Sequence, residues 1–242
     1  MRNQRVATAV ALGCAGFCTF VGMLVLFGWQ TGRLGLVNLG HLSPPMSYNI
    51  ALCFVLSSLG LSSLSVQQGR WIAVLAGLAM LLVAGLSVLT QVFHWTSWLN
   101  MDEVFFPRSP ALPALFPLYA GAAFILTALT LITRRGFGFS GPLVCAIALA
   151  ALVCRGLGIL PPIEDSGLGV MGIHTSAALL ALGIGLTASE YAHAPEEAVR
   201  WAPASAAVLG AALTLITHDV LILRLGCIGC VEWTARELTA RW

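Results

Sequence analysis

Along most of this chain, apolar residues run on with only scattered polar interruptions. Stretches near 6–29, 48–67, 71–93, 112–133, 141–160, 170–189 and 202–223 are each long enough to cross a bilayer, which takes about 20 residues per helix. None of them can be an isolated strand, because an unpaired backbone group in hydrocarbon costs several kcal/mol. The pattern therefore predicts an all-α, polytopic membrane protein of seven transmembrane helices in one integral membrane domain, 1–242. Three apolar stretches open on similar phrases, PPMSYNIALCFVLSSLGL from Pro44, LFPLYAGAAFILTALTLI from Leu115 and VMGIHTSAALLALGIGL from Val170. Each begins at a turn or a bulky apolar residue, passes one polar or aromatic residue (Asn49, Tyr119, His174) and then runs apolar. A repeat of roughly sixty residues made of two apolar segments predicts a helical hairpin used three times. The hairpins are 6–67, 71–133 and 141–189, followed by a seventh helix at 202–223 and a polar tail at 224–242.

Composition sharpens this picture. Of 242 residues, 58% are hydrophobic and 9% charged, and the mean hydropathy is +0.90. Soluble domains carry about 25% charged residues, so lipid is the solvent expected for most of this surface. A net charge of +2 gives no reason to expect a nucleic-acid partner. The first apolar run follows Arg2 and Arg5, exceeds the core of a signal peptide and is read as a retained span. With the N-terminus inside, Arg2, Arg5, Arg70, Arg134, Arg135 and Arg200 face the cytoplasm, and only Arg33 and Arg108 lie in outer loops between helices. That asymmetry favours a cytoplasmic N-terminus. Seven spans then put the tail with Arg224, Arg236 and Arg241 outside. The outer loops, near 30–47, 94–111 and 160–171, are longer than the inner turns. Function on a rigid scaffold concentrates in such loops.

The phrase Pro44-Pro45-Met46-Ser47-Tyr48-Asn49-Ile50-Ala51-Leu52-Cys53-Phe54 resembles P-M-x-P-N-T-A-L-x-F in the multi-helix membrane modules of bacterial sensor histidine kinases and related signalling proteins. Asp102-Glu103-Val104-Phe105-Phe106-Pro107 resembles their D-Q-L-L-F-P phrase, and Met171-Gly172-Ile173-His174-Thr175 their M-A-L-H-T-A phrase. The resemblance covers roughly residues 20–190 in order and spacing. Tyr119 stands where the family usually has Asn. No phosphoacceptor histidine box, ATP-binding glycine motif or cyclase motif follows before Trp242. The resemblance implies a sensory input module of the bacterial inner membrane without its own catalytic output, recognising a small molecule or a membrane state. Its partners would be the lipid bilayer and a separate kinase or other signalling protein; a second copy of the chain is also compatible.

The candidate sites each carry two readings. Asn49, Tyr119 and His174, with Asp102 and Glu103 in the second outer loop, could line a ligand pocket between the hairpins; alternatively they cap or hydrogen-bond neighbouring helices. His41, His94 and His174 with the two acidic residues could offer donors to Zn²⁺ or Cu²⁺. None has the i, i+3 or i, i+4 spacing of a helical metal site, and His94 sits in an aromatic belt phrase, so no metal and no cofactor is assigned. Arg155 and Asp219 lie at similar depth. They are expected to form an intramembrane ion pair or switch with His218 alongside, unless Arg155 reaches up to the headgroups. That pair is the basis of a second functional reading, a small transporter or channel. Cys227 and Cys230 have CxxC spacing, a weak redox signal and the basis of a third reading, a membrane thiol oxidoreductase. No catalytic constellation accompanies them, so enzymatic activity is not expected. Cys14, Cys18, Cys53, Cys145 and Cys154 fall in apolar runs as small hydrophobes. Gly136–Gly141 is read as a turn, and Glu190, His193, Glu196 and Glu197 as a solvated inner loop. Ala73-x-x-x-Gly77 and Ala181-x-x-x-Gly185 are read as close-packing seams.

Overall fold

The computed structural model describes residues 2–37, 45–66, 69–93, 116–133, 139–156 and 171–193, and in the last stretch 203–207, 209–211, 213–214 and 218. Among these residues every regular element is a helix: α1 (Arg2–Thr31), α2 (Leu34–Val37), α3 (Tyr48–Val66), α4 (Arg70–Val92), α5 (Leu118–Thr133), α6 (Ser140–Gly156) and α7 (Ile173–His193). Residues described between 203 and 218 are helical as well. Among the described residues, three stretches are long and apolar enough to cross a membrane, Asn3–Thr31, Tyr48–Val66 and Arg70–Thr90, and Leu118–Thr133 and Ser140–Val153 are shorter apolar helices.

Local chemistry sets the boundaries. α1 closes in a Schellman turn, with Gly32 N donating to Trp29 O at 3.2 Å and Arg33 N to Gly28 O at 3.0 Å. Gly32 takes a φ of 66°, a conformation in which any Cβ is strained. The stretch 30–47, read from sequence as an outer loop, contains the extra short helix α2. α5 starts at Leu118 rather than near 112, and the residue before a proline explains its edge: Phe116 precedes Pro117 and is sterically driven out of the helical region. At the far end of α7 the expectation of a solvated loop fails for Glu190 and His193. The helix runs through both, and Glu190 is half-buried, accepting a 3.0 Å hydrogen bond from Ser140 Oγ of α6.

Helix directions follow from named contacts. Thr19 Oγ1 donates to Ser58 Oγ at 2.8 Å and Trp29 Nε1 to Met46 O at 2.9 Å, so α1 and α3 run antiparallel. Asn49 meets Ser87, and Ser57 Oγ lies 2.9 Å from Met80 Sδ, so α4 runs against α3. Cys145 Sγ reaches Leu180 O and Arg155 reaches Met171 O, which sets α6 against α7. α1 also packs on α7, α4 on α5 and α5 on α6, while α3 touches α1, α4, α5 and α7. α3 is thus the central helix. Its core contacts include the edge-on Phe54–Phe124 ring pair at 5.1 Å.

Close approaches occur where glycine removes a side chain. A Cβ on Gly77 would lie 3.0 Å from Ala128 O of α5, and one on Gly185 would lie 2.7 Å from Leu61 Cδ2 and 2.9 Å from Cys14 Cβ. Both seams read from the small-residue spacing are therefore real helix contacts.

Candidate functional site

The three repeat phrases fold alike. Asn49, Tyr119 and His174 are each the second residue of their helix, α3, α5 and α7. Two residues before each helix stands a buried bulky side chain, Met46, Phe116 or Met171. One residue before each helix stands a carbonyl that accepts the first helical bond: Ala51 N to Ser47 O at 3.2 Å, Gly121 N to Pro117 O at 3.0 Å and Ser176 N to Gly172 O at 3.0 Å. Ser47 adds an N-cap, its Oγ accepting from Ile50 N at 3.3 Å, an interaction worth about 1 kcal/mol. The three helix starts share one end of the bundle, since Leu131 near the end of α5 and Gly185 in the second half of α7 both meet the second half of α3.

Chemistry at this end is concentrated in two buried groups. Asn49 is 4% exposed, and its Nδ2 donates to Ser87 Oγ at 3.1 Å. Ser87 spends its own hydrogen on Val83 O at 2.8 Å. Ser87 can therefore only accept from Asn49, which fixes the amide orientation and leaves Oδ1 buried without a partner among the described residues. His174 is 9% exposed, with Nε2 buried and likewise unpartnered among them. A buried polar atom left so costs about 1–3 kcal/mol.

The two groups face different neighbours. Asn49 turns to α4, whereas His174 lies on the stripe continued by Ala178 and Gly185, which abuts α1 and α3: Cys18 Sγ donates to Ala178 O at 3.4 Å, and Gly185 sits against Leu61 and Cys14. Tyr119 is half-buried against the core. No hydrogen bond joins the three among the described residues. Arg155, in the last turn of α6, donates from Nη1 to Met171 O at 3.2 Å, and its charge acts on His174. This backbone bond is a role the sequence did not suggest for it. Its expected partner Asp219 lies outside the described residues, and His218 is exposed.

Asp102, Glu103, His41, His94, Cys227 and Cys230 also lie outside the described residues. Among those described, no group of three His, Cys, Asp or Glu side chains could hold a metal. Cys18 and Cys53 are buried and Cys14 and Cys145 partly so, all as free thiols.

Sequence reading missed Ser47, Ser87 and Ser140. Ser47 carried a usable signal, a Ser directly before an apolar run. Ser87 carried none, being a single hydroxyl inside an apolar helix. In comparisons with known proteins the chain matches no family model, no curated protein and no solved structure.

Proposed function

We propose that this chain is a membrane-embedded sensory input module. In this reading seven spans, three hairpins and one further helix, cross a bacterial inner membrane with the N-terminus in the cytoplasm. The end of the bundle where α3, α5 and α7 begin recognises a small molecule or a membrane property, and a separate kinase or similar signalling protein reads the result. The observation that carries this is the Asn49 amide, held rigid by Ser87 with a buried acceptor left open. A ligand hydroxyl or N–H donor would satisfy it, and binding sites of this kind pair an apolar wall with few convergent polar groups. Met46, Phe116 and Met171, buried at the equivalent place in each repeat, belong to the apolar core of the bundle. Arg155 ties the end of α6 to the backbone just before α7, a link through which a shift at His174 would reach the other end as a helix displacement.

The test is a fusion of residues 1–242 to a kinase reporter, exposed to small neutral amphiphiles carrying one donor: short alcohols, phenols and indole. At least one should change reporter output, and Asn49→Leu should abolish that change while the protein still inserts. An inserted protein whose output is indifferent to every probe, or an Asn49→Leu variant that responds normally, would defeat the reading. A fluorescent protein fused to the N-terminus should mature, because that end is assigned to the cytoplasm; an alkaline phosphatase active there would reverse the orientation.

A further inference from the structure

The start of α7 is built differently from the start of α3. Where α3 has the capping Ser47, one residue before the helix, α7 has Gly172, which offers no side chain to its first turn. The first helical bond of α7 runs from Ser176 N to Gly172 O. The N–H groups of His174 and Thr175 come before it and have no acceptor within the helix. Both residues are buried. A helix end of this kind carries about half a positive charge, and α7 is long enough to develop it.

Two further groups converge on the same place. Arg155 holds Met171 O, two residues before the helix begins, and lies near enough to His174 for its charge to act on the ring. The Cα–Cβ bond of a helical residue tilts toward the helix start, so the His174 ring leans into this end. Its Nε2 is the buried atom without a partner among the described residues. The one carboxylate among those residues is Glu190, about 24 Å further along α7. Apolar surface stands alongside. α1 runs against α7, since Cys18 meets Ala178 and Cys14 meets Gly185. Val21 and Val25, buried one and two turns beyond Cys18, therefore lie toward the His174 end.

We infer that the start of α7 binds the carboxylate of a small apolar acid. In the tautomer with its hydrogen on Nε2, His174 donates to one carboxylate oxygen. The N–H groups of the first turn donate to the other, as helix N-termini do to anions, and the Arg155 charge adds to the attraction. Val21 and Val25 take the apolar body. A single negative charge fits better than a phosphate dianion, because the cost of bringing charge to a buried atom rises steeply with its size. The site goes beyond the one at Asn49, which faces α4 and asks for a neutral donor.

The full chain, in nanodiscs of phosphatidylcholine, is titrated calorimetrically with octanoate and with octanol, its neutral counterpart. Octanoate should bind at least tenfold more tightly than octanol, and His174→Leu and Arg155→Gln should each weaken it about tenfold. On the unaltered chain, octanoate carrying a mid-chain diazirine should label Val21 or Val25. That arm decides the matter if a variant does not insert. Equal binding of octanol, undiminished octanoate binding in both variants, or labelling confined to Leu75 and Leu82 on the outward side of α4 would each overturn the assignment. So would displacement of octanoate by inorganic phosphate or by added phosphatidylglycerol, which would make this a phosphate site.

Discussion

α3 and α4 are neighbouring apolar helices, yet they occupy opposite environments. α3 buries Phe54, Ser57, Ser58, Leu61 and Ser65 and touches four other helices. α4 turns Trp71 outward at 75% exposure, with Ile72, Leu75, Leu78, Leu82 and Leu89 on the same open surface. In water the apolar face of a helix is the buried one. On α4 large aliphatic side chains face out, whereas the buried face of α3 sets three serines among Phe54 and Leu61. Hydroxyls inside and aliphatic side chains outside are expected when lipid is the solvent and helices associate through packing and hydrogen bonds. Apolarity alone therefore does not say which face of these helices is buried.

The comparison breaks most severely if the central ring pair proves dispensable. Phe54→Ala should destabilise the fold by about 3–5 kcal/mol through loss of contacts and the cavity left behind. Leu82→Ala on the outward surface of α4 should stay within about 0.5 kcal/mol. Reversible unfolding in mixed micelles measures both, and equal losses would mean that α4 is as enclosed as α3.

Glycines offer the next test. Gly183→Ala would place a Cβ 2.8 Å from Gly141 O and 2.8 Å from Cys145 N, both backbone atoms, and should force α6 and α7 apart at a cost of about 1–3 kcal/mol. A Cβ on Gly85 of α4 would meet nothing within 4 Å, so Gly85→Ala should instead gain about 0.5–1 kcal/mol from helix propensity. Opposite signs are the prediction; the same micelle unfolding assay reads them.

How much of this was legible beforehand depends on the type of signal. The helical class follows from apolar runs that no soluble domain could carry. The repeat phrases located Asn49, Tyr119 and His174 at matching positions, because a turn followed by a polar residue leaves a local imprint. The seams at Gly77 and Gly185 were readable from small-residue spacing. Which polar residue meets which was not. Asn49 finds Ser87 across thirty-eight positions and Ser140 finds Glu190 across fifty, pairings set by helix packing that no local pattern records. Glu190 misled because a charged residue near the end of a span looks solvated unless its partner is known.

A smaller effect sharpens the contrast at the α1–α3 contact. Thr19 Oγ1 lies 2.9 Å from Ala15 O and 2.8 Å from Ser58 Oγ, while Ser58 Oγ donates to Val55 O at 2.7 Å. Each hydroxyl has a carbonyl of its own helix as an alternative acceptor, so breaking the link between helices strands neither group. Interhelical hydrogen bonds in membranes average about 0.6 kcal/mol for this reason. A double-mutant cycle with Thr19→Val and Ser58→Ala should therefore give a coupling of about 0.6 kcal/mol. Thr90, on the outward-facing helix, donates to Ser87 O at 2.9 Å within α4, so Thr90→Val with Ser58→Ala should give no coupling. A coupling several times larger for Thr19 and Ser58 would make hydroxyl pairing, rather than close packing, the main force holding α1 to α3.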